Sequence, residues 1–120
     1  MAAARILKLV IRLAGGGAVL LGLARWAGYL VSWLPVHMAF GIALVLTLVT
    51  VAILAWRAGR QLRLAALVAV WALLVLWLGY TQQRLLPGSQ HWIIQVTHLA
   101  VGGIAMALGT RLALSLEARA

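Results

Sequence analysis

Apolar positions fall into four long runs separated by short polar or turn-forming stretches. The runs are too continuous for the stripes of surface helices or the alternation of half-buried strands. The first covers residues 13–34, the second 35–56, the third 64–80 and the fourth 91–110. Each approaches the roughly 20 residues that an α-helix needs to cross the hydrocarbon core of a bilayer. The pattern predicts an all-α membrane protein, a four-transmembrane-helix up-down bundle forming one domain over residues 1–120. Short connections between the runs make sequential helices antiparallel neighbours.

The breaks carry their own signals. Arg5, Lys8 and Arg12 precede the first run at helical spacing, so the helix is expected to begin at the membrane surface. A secretory signal peptide also has a basic start, but its apolar region is shorter than about 22 residues and Arg25 interrupts this one; a retained helix is expected. Pro35 suits the first turn of the second helix, where a missing N–H costs nothing. Residues 57–63 form a basic turn, residues 81–90 a polar loop around Pro87-Gly88, and residues 111–120 a short tail.

Composition narrows the class. The chain is 66% hydrophobic and only 9% charged, whereas a soluble domain carries about a quarter charged residues. Disorder is excluded on the same ground. The net charge of +9 would suit nucleic acid only on a solvated basic face; here the cations flank apolar runs, so no nucleic-acid partner is expected and the lipid bilayer is. Arg5, Lys8, Arg12, Arg57, Arg60, Arg63, Arg111 and Arg119 fall on one side and Arg84 on the other. That bias predicts cytoplasmic termini in a multi-pass protein of a prokaryotic-type plasma membrane. Trp33, Tyr80 and Trp92 then mark the outer interface and Trp56 the inner one. Gly15, Gly16, Gly17, Gly102 and Gly103 are candidates for close helix approach. With no cysteine and Glu117 as the sole acid, thiolate chemistry and carboxylate pairs are excluded.

Ionisable residues within hydrocarbon call for a functional reading. Arg25, His37, His91 and His98 all fall in the outer half of the expected bundle. His37 and His98 lie on helices that run in the same direction, and two imidazoles from different helices can hold a haem iron from both faces. Ala39 and Gly41 after His37, and Ala100, Gly102 and Gly103 after His98, leave room for a flat macrocycle. Gln95 and Thr97 are candidate acceptors for the second ring nitrogen. His98 is expected about 10 Å deeper than His91; His91, seven residues away on the same face, is the alternative partner for His37. A lone membrane histidine more often bonds a neighbouring helix. Arg25 has no carboxylate nearby, so haem propionates would supply its counter-charge, helped by Arg84 and Gln83 or Gln90; the simpler alternatives are snorkelling or pairing with backbone carbonyls.

The stretch Leu20-Leu21-Gly22-Leu23-Ala24-Arg25, followed by Trp33-Leu34-Pro35-Val36-His37, resembles the first-helix arginine and second-helix histidine of the haem A synthase family. Leu76-Trp77-Leu78-Gly79-Tyr80, then Leu86-Pro87, then Gln95-Val96-Thr97-His98-Leu99-Ala100 resembles its third helix, outer loop and fourth-helix histidine. The similarity covers about residues 18 to 110. Members of that family usually contain two four-helix halves, each with a histidine pair for haem, and oxidise a methyl group of haem O. This chain resembles one half, and a homodimer would restore two bundles. The family's acidic residue beside the second-helix histidine has no match, since Val36 and Met38 flank His37. The arginine that commonly follows that histidine and the outer-loop cysteines are also missing. The resemblance therefore implies a b-type haem with His37 and His98 as axial ligands, in electron transfer or a haem A synthase-like role, more than methyl oxidation. The other readings are a structural or anchor subunit of a respiratory or photosynthetic complex, and a small dimeric exporter. Proton-coupled exporters titrate an intramembrane carboxylate, which this chain lacks. Whether a quinone binds near His91 is left open.

Overall fold

In the computed structural model, which describes residues 2–118, the chain forms α1 (Ala2–Trp26), α2 (Leu34–Arg57), α3 (Leu62–Thr81) and α4 (His91–Glu117). Single 3-10 turns, Val31–Trp33 and Gln82–Arg84, lie in the α1–α2 and α3–α4 connections. The described residues contain no strand. α1 and α3 each pack against both α2 and α4, and α2 meets α4 across the centre. All four helices are long and apolar enough to cross a membrane; the 20 residues of α3 extend about 30 Å, the thickness of a bilayer core.

Two boundaries differ from the apolar pattern. α1 stops at Trp26, although the first apolar run continues to Leu34. Gly28 takes φ 86, and the N–H groups of Gly28 and Tyr29 return to the carbonyls of Arg25 and Ala24. This Schellman motif closes the helix with a left-handed residue that glycine adopts without steric cost. Arg25 is consequently one residue from the end of α1, not some eight residues below it. Gly59, at φ 63, ends α2 by the same device, with the N–H groups of Gly59 and Arg60 bonded to Trp56 and Ala55. The second correction concerns residues 111–117, which continue α4 instead of forming a tail. Leu112, Ala113 and Leu116 are buried there while Arg111 is exposed, so the helix persists because one face packs on the bundle. Arg119 lies outside the described residues.

The close-packed core sits toward the end carrying the chain termini, hereafter the basic end. Ile11, Leu48, Val51, Val68 and Leu112 are its largest fully enclosed side chains. Gly109 is the tightest approach: a Cβ there would collide with the Leu48 side chain and meet Ile11. Of the glycines expected at helix contacts, Gly15 faces Met106 and Gly17 faces Phe40, whereas Gly16, Gly102 and Gly103 have open space at the Cβ position. Lys8 on α1 donates to Glu117 on α4 at 2.8 Å, and Arg60 donates to the Ser115 carbonyl at 2.8 Å. These bonds tie α1 and the α2–α3 connection to the end of α4. Beyond Leu44 on α2 and Ala105 on α4, toward the opposite end, neither helix has a buried residue. There the bundle encloses a cavity instead.

Candidate functional site

The cavity measures about 480 Å³ and lies among all four helices at the histidine end, within the range of small-molecule sites. Its walls are graded. Arg25, Gln82, Gln83 and His91 line the part nearest the connections, His37, Gln95 and His98 the part below, and Leu44, Val45 and Met106 the floor. Such a gradient suits a ligand with one polar or anionic edge and an apolar body.

His37 sits in the first turn of α2, immediately after Pro35 sets the helix start. Its Nδ1–H donates to the Ala18 carbonyl of α1 at 2.9 Å. That bond fixes the tautomer and leaves Nε2 as the nitrogen with a free lone pair, the arrangement found in metal-ligating histidines. His98 sits two turns into α4. The ring centres of His37 and His98 are 6.4 Å apart with planes inclined by 64°. The two imidazoles therefore meet across the cavity, although three residues separate His37 from the start of α2 and seven separate His98 from the start of α4. The two rings thus come close despite their unequal distances from the helix starts. His98 Nδ1 is buried without a hydrogen-bond partner. An unmet imidazole nitrogen costs about 1–3 kcal/mol, so the site is short of one acceptor, donor or metal.

Both rings rest against glycine. A Cβ on Gly22 of α1 would lie 3.2 Å from Cε1 of His37, and a Cβ on Gly79 of α3 would lie 3.4 Å from Cε1 of His98. One turn below the histidines, Gly41 and Gly102 also line the cavity with nothing opposite their Cβ positions. The segments His37-Met38-Ala39-Phe40-Gly41 and His98-Leu99-Ala100-Val101-Gly102 share a His-x-Ala-x-Gly pattern. The structure thus pairs a histidine helix with a glycine helix twice. The two segments and their shared pattern lie in the sequence; the partner glycines on α1 and α3 emerge only when the helices are assembled.

The remaining candidates are placed differently. His91 lines the cavity, and its Nδ1–H donates to the Leu85 carbonyl at 3.1 Å within the α3–α4 connection. Arg25 also lines the cavity and donates to the Val31 carbonyl, the backbone pairing that the sequence allowed as its simpler alternative. Arg84 is exposed and does not line the cavity, nor does Gln90, whereas Gln82 and Gln83 do. The Thr97 hydroxyl donates to the Ile93 carbonyl of its own helix at 2.8 Å, and its side chain is exposed outside the cavity lining. Trp71 on α3, which no motif in the sequence singles out, donates from Nε1 to the Val101 carbonyl at 2.9 Å. Among the described residues no three His, Asp or Glu side chains gather as a closed metal site. No protein-family model, curated protein or solved structure matches the chain.

Proposed function

We propose that this chain is an integral membrane protein that binds one b-type haem between His37 and His98 and serves electron transfer or, following its resemblance, a haem A synthase-like process. The observation that carries this reading is the His37–His98 pair, with ring centres 6.4 Å apart in a cavity at the histidine end of the bundle. Two imidazoles holding one metal end-on need ring centres about 6 Å apart, given metal–nitrogen bonds of about 2 Å. Two protein ligands alone leave the metal's other positions unfilled, and a tetrapyrrole brings four nitrogens for them. Gly22, Gly41, Gly79 and Gly102 line the cavity without side chains of their own and so widen it.

Within this reading each residue has a distinct task. His37, oriented by Ala18, and His98 would hold the haem iron, and two imidazole ligands suit electron transfer more than chemistry on oxygen or substrate. Arg25, beside the cavity on α1, neutralises a carboxylate at the polar edge, and Gln82 and Gln83 offer amides there. Val45 and Met106 exclude water from the apolar body. When bound, haem supplies a reversible one-electron couple. Its potential would follow from the two imidazoles and the low-dielectric walls. Among the described residues Arg5, Lys8, Arg12, Arg57, Arg60, Arg63 and Arg111 lie toward the opposite end, which supports an outer-half location for the site by the positive-inside rule. His37→Ala and His98→Ala should each remove the low-spin haem spectrum from detergent-purified protein. Retention of that spectrum in either variant would reject the ligand pair.

A further inference from the structure

The two halves of the site anchor their histidine helices differently, and the difference singles out Trp71. In the α1–α2 half the His37 ring itself bonds the neighbouring helix, through Nδ1–H to the Ala18 carbonyl. In the α3–α4 half His98 has no such bond, since its Nδ1 is buried without a partner. The cross-helix bond here comes from Trp71, whose Nε1–H reaches the Val101 carbonyl. Val101 follows His98 by three residues, about 4.5 Å along the helix. Against Gly79, on the same helix as Trp71, the ring of His98 has no side chain to meet; even an added Cβ there would lie only at van der Waals distance from its Cε1. A slide of α4 along α3 would meet little resistance from that contact. It would carry the His98 ring out of level with His37 by the same amount. The indole–carbonyl bond opposes the slide, because its donor–acceptor distance is already 2.9 Å and weakens steeply on displacement or misalignment.

We propose that Trp71 is a positioning residue for the haem site, setting the depth of α4 so that His98 stands opposite His37. The proposal rests on the haem reading above and deepens it: Trp71 touches no ligand and acts through the height of one imidazole.

The test compares Trp71→Phe with Trp77→Phe in the full chain, purified in detergent from haem-replete cells. Trp77 lies on the same helix but is 55% exposed. Phenylalanine keeps most of the indole's bulk at position 71 and removes the N–H. Trp71→Phe should give a mixed-spin absorption and paramagnetic-resonance spectrum, with haem lost on dilution, while Trp77→Phe keeps the low-spin spectrum of the unaltered chain. Thermal unfolding of both variants without haem separates positioning from general weakening, and equal melting temperatures with unequal spectra are the expected result. If Trp71→Phe fails to fold, Trp71→Gln retains an N–H donor and should restore part of the low-spin signal relative to Trp71→Leu. A coloured unaltered protein whose spectrum survives Trp71→Phe unchanged would overturn the positioning role and leave the haem reading standing. A colourless unaltered protein would remove both.

Discussion

His37 and Gly22 stand ring against backbone: a methyl group on Gly22 would lie 3.2 Å from Cε1 of His37, tighter than ordinary contact. The imidazole has room at this depth only because α1 has no side chain there. Gly22→Val should push the ring toward the cavity and strain its bond to Ala18. Overpacking of this kind costs about 1–3 kcal/mol, equivalent to haem affinity weakened about tenfold or more. Haem titration of the purified variant checks this, with Gly16→Val as a control where the Cβ position is open.

Arg25 should matter to ligand retention more than to folding. Its guanidinium already has the Val31 carbonyl as a partner, and a partly exposed ion pair contributes less than about 1 kcal/mol. Arg25→Leu should therefore weaken haem binding by about fivefold while the melting temperature of the haem-free protein changes little. Unchanged retention would remove the carboxylate role from Arg25.

Lys8 and Glu117 form the one ion pair among the described residues and join the first helix to the last. Their side chains are only 22% and 18% exposed, and Glu117 Oε1 is buried without a partner. Lys8→Met should cost about 1–3 kcal/mol by leaving that carboxylate unpaired. Lys8→Met combined with Glu117→Leu should recover part of the loss, since no charge then stays buried. Denaturant titration in detergent micelles, arranged as a double-mutant cycle, gives the coupling directly.

Leu48 is wholly enclosed and fills the space left by Gly109. Leu48→Ala should destabilise the bundle by about 2–5 kcal/mol without altering the haem spectrum of the protein that remains folded. The core and the site occupy opposite halves of the bundle, so stability and ligand binding should separate in this variant.

The number and type of the helices were legible because four apolar runs of bilayer length leave few alternatives. The end of α1 was not, because Val31, Leu34 and their neighbours are as apolar as a span and the stop comes from the backbone at Gly28. The last turns of α4 are hidden for the opposite reason: Arg111 suggests a tail, while Leu112 and Leu116 still have a face to bury. The meeting of His37 and His98 was legible as a common end and direction, but their common level was not. It depends on how far each helix projects, which residue counting from Pro35 and His91 cannot supply. Gly22 and Gly79 were unremarkable glycines in apolar runs until the neighbouring rings were in place.

His91 discriminates the two ligand assignments. Its Nδ1–H is engaged with Leu85 outside the ring pair, so His91→Ala should leave the low-spin spectrum nearly intact. Loss of the spectrum in His91→Ala, with retention in His98→Ala, would transfer the ligand role from one to the other.

The most direct measurement is the dithionite-reduced minus oxidised visible spectrum of the unaltered, detergent-purified chain from cells supplied with haem. A sharp pair of reduced bands typical of six-coordinate low-spin b-type haem, at one haem per chain, is the predicted result. A featureless difference spectrum from correctly folded, haem-exposed protein would contradict the account at its centre.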